Sequence, residues 1–178
     1  MSAANLRQAC YLLWFCRPSS DRQLFRAIKR QAPVRIVEFG VGDGTRAKRM
    51  LQLAQRFQSA PIQYAGIDLF EADESRPYLR ISLKQAYRDL LQLGVRPRLI
   101  PGDLVSAVTR SANALGDTDL LVVDGMHADA DLAGIWYFVP RMLSPQALVA
   151  RYTAENSLEF LSKADVERLA GSAPRRAA

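Results

Sequence analysis

IVEFGVGDGTRAKRM, residues 36–50, runs an apolar segment into three glycines at alternate positions, with a helical pattern directly behind them. Val34 to Phe39 is a short β-branched run between Pro33 and Gly40, the pattern of a strand buried on both faces. Glycine at 40, 42 and 44 removes three side chains from the turn, so backbone amides can approach a ligand closely. Thr45 to Gln58 carries Ala47, Met50, Leu51, Ala54 and Phe57 on one side, and its N-terminus brings partial positive charge to the loop.

Outward from that stretch, strand and helix alternate. Ile62 to Leu69, Arg98 to Ile100, Asp119 to Asp124 and Ala147 to Tyr152 read as strands; Ser82 to Leu93, Leu104 to Ala114 and Ala128 to Leu143 read as helices. This order predicts an α/β fold with a doubly wound, mostly parallel sheet and a ligand site at the carboxyl ends of the strands. Gly40 to Thr45, Asp68, Gly102-Asp103 and Asp124 to His127 each follow a predicted strand. Beyond Tyr152 there is room for one short strand, Leu158 to Leu161, and a last helix opened by a capping-box pattern at Ser162 and Asp165.

The 178 residues suit one domain. We divide them into an N-terminal helical extension, residues 1–33, a ligand-binding domain, residues 34–170, and a small, basic tail, residues 171–178. Ala3 to Cys16 and Asp21 to Gln31 read as helices, the second with Leu24, Phe25 and Ile28 as its apolar stripe and Asp21 as its N-cap. The net charge of +6 resides in this extension: residues 1–35 hold seven basic side chains and one acid, 7 − 1 = +6, and the rest cancels. Its arginines and its apolar run Tyr11 to Phe15 suit a docking helix, a lid over an acceptor pocket, or contact with a membrane surface or an acidic partner. Cys10 and Cys16 match neither a disulfide framework nor a zinc site and are expected as buried thiols. The run Ala9 to Cys16 is too short to span a bilayer, and no clear signal peptide is present, so the expected compartment is the cytoplasm.

The glycine spacing bears on chemistry. A dinucleotide fingerprint requires G-x-G-x-x-G; here the third glycine comes one residue early and Thr45 takes its slot, which disfavours a nicotinamide enzyme. Glu38, just before the loop, would repel a phosphate and suit a cationic amine. Asp68 at the end of the second strand can accept from both hydroxyls of a ribose. Asp103 can accept from an adenine amine while the Leu104 amide donates to the ring.

Together these motifs resemble the class I S-adenosylmethionine-dependent methyltransferases. Their E/D-x-G-x-G-x-G loop is matched by Glu38-Phe-Gly-Val-Gly-Asp-Gly44, their ribose acid by Asp68, their adenine acid by Asp103, and the acidic end of strand four by Asp124. The resemblance covers about residues 34–152 and implies a Rossmann-like methyltransferase fold with a shortened C-terminal part. It implies S-adenosyl-L-methionine as cofactor, held by Gly40, Gly42, Gly44, Thr45, Asp68, Leu69, Asp103 and Leu104, with Glu38 facing its amino end.

Asp124 and His127, in Asp-Gly-Met-His, are the candidates for handling the acceptor, His127 as general base for a hydroxyl. The same four residues resemble metal-dependent O-methyltransferases, but Ala150-Arg-Tyr-Thr153 stands where more ligands usually follow strand five, so no metal is expected. The expected partner is a small-molecule acceptor methylated on oxygen, with no nucleic acid, and a homodimer if a sheet edge is exposed. The alternative is a degenerate family member that keeps the fold as a binding or scaffold protein.

Overall fold

Alternate residues of the central strands face opposite sides of the sheet, and both sides are apolar. Ile36, Leu120 and Val122 enter one core cluster, whereas Val37, Phe39, Leu121 and Val123 enter the other. Two hydrophobic faces require two helical layers, and the chain supplies both. The computed structural model describes residues 3–72, 81–127 and 129–172. Most of the polar loop Phe70 to Arg80, which the sequence reads as solvated residues or as a substrate gate, and most of the tail from residue 171 lie outside them.

Among the described residues one six-stranded sheet has the order β3-β2-β1-β4-β5-β6. Its strands are β1 Arg35–Phe39, β2 Gln63–Asp68, β3 Pro97–Pro101, β4 Thr118–Val123, β5 Leu143–Tyr152 and β6 Leu158–Ser162. The first five are parallel and β6 returns antiparallel on β5, so the expected doubly wound sheet with a single closing strand is what forms. Strand order reverses between β1 and β4, the place where such sheets open a ligand crevice.

One layer consists of α1 Ala3–Cys10 with a wider π-type turn Tyr11–Phe15, α2 Ser19–Gln31, α3 Thr45–Phe57 and α4 Leu83–Gln92. The other holds α5 Leu104–Ser111, α6 Asp129–Ile135, α7 Val139–Met142 and α8 Lys163–Ser172. No described helix is long and apolar enough to cross a membrane.

Local physics explains the departures from the sequence reading. The helix expected over residues 128–143 breaks between Ile135 and Val139, because Pro140 lacks an N–H and its ring would clash with the carbonyl four residues earlier. Of the aromatics there, Trp136 is buried but Tyr137 is exposed, and Arg141 lies over the Tyr137 ring at 4.9 Å. The first helix gives way to the π turn, closed by Cys16 N donating to the Tyr11 carbonyl at 2.9 Å. That turn sends Leu12 and Leu13 inward and leaves Tyr11, Trp14 and Phe15 exposed. Cys16 is buried as expected and Cys10 is not. The capping box at α8 forms reciprocally: Asp165 N donates to Ser162 Oγ at 3.2 Å and Ser162 N to Asp165 Oδ2 at 2.8 Å.

Candidate active site

Three backbone hydrogen bonds align the strand ends. Gly40 N donates to the Ile67 carbonyl at 2.8 Å, Gly102 N to Asp68 O at 3.0 Å and Asp124 N to Phe39 O at 2.8 Å. Residues far apart in sequence therefore meet at one edge of the sheet.

The glycine loop uses its freedom. Gly40, Gly42 and Gly44 have φ of +87°, +61° and +76°, a region that residues with a Cβ rarely enter. At Gly40 space is limiting too, since a Cβ there would lie 2.6 Å from Asp124 Cβ and 3.2 Å from His127 Nε2. Asp124 and His127 thus close over the first glycine. Gly42 N donates to Asp68 Oδ2 at 2.8 Å, and Leu69 N donates to Asp68 Oδ1 at 2.7 Å. Asp68 is 9% exposed and fixes the loop against β2. Asp43 accepts from Thr45 N and from the Thr45 hydroxyl at 2.8 and 2.9 Å, which opens α3.

Asp103 is exposed and caps α5 by accepting from Ser106 N at 2.9 Å; that backbone hydrogen bond holds its carboxyl below the usual range. Leu104 is buried in the α5–α8 core. The structure thus joins Asp68 to the glycine loop and Asp124 to Gly40, while Asp103 and Leu104 follow the end of β3, which Gly102 N ties to Asp68 O.

Glu38 lies one residue before the end of β1. It shares the sheet face of Ile36, is fully buried, and both its oxygens are engaged: Arg46 Nε donates to Oε1 at 2.7 Å and the Tyr64 hydroxyl to Oε2 at 2.6 Å. It meets Arg46 because α3 lays a guanidinium over that face. The other end of Arg46 donates to the Gly40 carbonyl and to Asp124 Oδ2, each at 2.8 Å. Its guanidinium also lies over the Tyr152 ring at 4.8 Å, and the Tyr152 hydroxyl donates to Asp21 Oδ1 at 2.7 Å. Asp21, expected as an N-cap, is instead buried inside the first turn of α2.

The charges balance through this network. Burial opposes the charge on Arg46, but Glu38 and Asp124 outweigh it and hold the guanidinium protonated. Burial pushes the Glu38 carboxyl upward, opposed by Arg46 and by the Tyr64 hydrogen bond. We take the carboxylate as ionised, because both of its oxygens accept from donors at 2.6–2.7 Å. Burial and the neighbouring carboxylate push the Tyr64 phenol well above its ordinary value.

A cleft of about 310 Å³ opens beside the network, between α2, the start of α3 and the turn after β5. Arg46, Arg49, Asp124 and Tyr152 line it, with Arg17 and Asp21 from the N-terminal extension. Among the described residues no group of three or more His, Cys, Asp or Glu side chains is placed to hold a metal ion. Arg46, Tyr64 and Tyr152 escaped the sequence reading as functional residues, and Asp21 entered it only as an N-cap. One signal was available: an arginine in the first turn of a helix opposes the helix dipole and therefore needs a nearby carboxylate.

The fold is shared with solved structures. The chain superposes on a proposed caffeoyl-CoA O-methyltransferase from Staphylococcus aureus with a TM-score of 0.55 and 14% identity, covering 96% of this chain and 80% of that one. The fold is that of the class I methyltransferases. The S-adenosylhomocysteine-bound methyltransferase PaMTH1 of Podospora anserina matches at 0.50 and 16% identity, over 96% of this chain and 74% of its own. MycE, the mycinamycin-pathway methyltransferase crystallised with Mg, S-adenosylhomocysteine and mycinamycin VI, matches at 0.52 and 19% identity over 84% of this chain. The chain spans 38% of MycE's length, so the likeness is one of fold. Neither a protein-family model nor a curated protein sequence matches the chain.

Within the methyltransferase fold the residues present fit an adenosyl cofactor. A left-handed glycine loop exposes backbone at the end of β1, and the carboxylates of Asp68 and Asp103 end β2 and β3. Each engaged carboxylate oxygen keeps a lone pair for a hydroxyl or an amine.

Proposed function

We propose that the protein transfers a methyl group from S-adenosyl-L-methionine to oxygen on a small-molecule acceptor. The observation that carries this reading is the glycine loop hydrogen-bonded to Asp68 at the β1–β4 crevice of a methyltransferase fold. Bound there, the cofactor supplies an electrophilic sulfonium methyl. Asp68 would accept from the ribose hydroxyls, Asp103 and the Leu104 amide would read the adenine, and Gly40 to Thr45 with Leu69 would pack along the rest. Glu38 acts one step away: it holds Arg46, and Arg46 holds the Gly40 carbonyl and Asp124.

His127 lies against Gly40 and is the general base for a hydroxyl acceptor. Asp124 already accepts from Arg46 and from Met126 N at 2.9 Å, so its part is to shape the crevice. Positioning acceptor and methyl in line, away from water, supplies much of the acceleration in a direct displacement.

A second reading, a cofactor-binding protein without turnover, is favoured by that same engagement of Asp124. Calorimetry with S-adenosylhomocysteine and then turnover over a panel of hydroxylated compounds separate the two. We expect binding that is lost in Asp68→Ala, and turnover that falls at least a hundredfold in His127→Gln with cofactor affinity unchanged. Binding without any transfer would leave the second reading. No binding alongside tight NADH binding would overturn both.

A further inference from the structure

The three exposed aromatics of the π turn stand where the positive charge is. Tyr11, Trp14 and Phe15 are 49%, 61% and 70% exposed, although Leu12 and Leu13 between them are buried. Beside them α2 presents Arg26, Lys29 and Arg30 to solvent. The only acid of α2, Asp21, is buried against Tyr152, and α3 next to it contains no acid. Packing thus turns the one negative charge of α2 inward and leaves a basic face edged by protruding rings.

We infer that this face docks on an anionic lipid bilayer, with Trp14 and Phe15 entering the interface and Arg26, Lys29 and Arg30 meeting the headgroups. Indole and phenyl rings favour the boundary between headgroup and hydrocarbon, and cations beside them are attracted by the negative surface potential. A nucleic acid fits less well, because one face of Trp14 is already covered by the Arg26 guanidinium at 4.7 Å and cannot stack on a base. Arg26 also donates to the Leu13 carbonyl at 3.1 Å, which fixes the aromatic turn on α2. Arg17 and Pro18, two and three residues beyond Phe15, line the cleft described above. Docking therefore brings the rim of that cleft beside the headgroups and suits an acceptor dissolved in the interface.

Trp14 is its own reporter, since the other tryptophan, Trp136, is 5% exposed. The full chain is mixed with vesicles of phosphatidylcholine alone or with added phosphatidylserine, and both tryptophan emission and flotation are followed. We expect a blue shift and co-flotation only with phosphatidylserine, reversed by high salt. Lys29→Gln and Arg30→Gln should each weaken partition about fivefold. Phe15→Ser should weaken it at least tenfold with an unchanged melting temperature, because the ring touches solvent and not the core. Equal binding to neutral vesicles, no binding to either, or tighter binding to a DNA duplex would overturn the inference. So would a dimer on gel filtration whose Trp14 emission is already blue without lipid.

Discussion

Arg46 donates from Nε to the fully buried carboxylate of Glu38 at 2.7 Å and reaches with its other end to Asp124, so one side chain spans β1 and β4 at their carboxyl ends. A guanidinium suits that place because its planar fork can serve two carboxylates and a carbonyl at once.

Arg46→Met strands the Glu38 charge in the core. We expect a loss of about 3–5 kcal/mol in urea unfolding, most of it recovered when Glu38→Gln is added. Additive losses in that double-mutant cycle would show that the pair does not act as a unit.

Gly66 lies opposite Glu38 in the β1–β2 register, and a Cβ there would come 3.1 Å from the Tyr64 hydroxyl and 2.7 Å from Val41 Cγ2. The glycine is needed for room, since its φ is ordinary. Gly66→Ala should cost about 1–3 kcal/mol and also weaken S-adenosylhomocysteine binding, because Val41 belongs to the glycine loop. A variant with unchanged melting and binding would contradict this account of the residue.

Tyr152 donates to Asp21 across 131 positions of sequence and ties α2 to the end of β5. Tyr152→Phe should lower stability by about 1.5–3 kcal/mol, the usual effect of losing a hydrogen bond to a charged group. Limited trypsin digestion gives a second readout: cleavage at Arg22, within α2, should accelerate well before the rest of the chain is cut.

Three of the surface carboxylates held below their ordinary range illustrate the behaviour at low pH. Ser106 N lowers Asp103, the Ser162 hydrogen bonds lower Asp165, and Lys48 lowers Asp89. Each folded value lies below the unfolded one, so the stabilisation is complete above about pH 4 and disappears as pH falls through the folded values. Thermal melts from about pH 6 to pH 3 should show this acid limb. In Asp103→Asn it should be flatter, because the amide still accepts from Ser106 N but does not titrate.

Residues 36–50 alone determined much of this protein: a buried strand, a loop that only glycine can follow, and a helix behind it. These are local properties, read from side-chain alternation and from the absence of Cβ atoms. The capping box at Ser162 and Asp165 was legible for the same reason, since both partners lie within one turn. Pro140 carried its warning too, though the apolar pattern around it masked the break.

Tertiary structure decided where the charges went. Nothing near Glu38 in sequence says that it will meet Arg46 and Tyr64, because those contacts depend on how α3 lies on the sheet and on the β1–β2 register. The inward turn of Asp21 and the outward turn of Trp14 likewise follow from packing. A buried charge must find a partner through space, and the chain brings that partner from wherever the fold makes it adjacent.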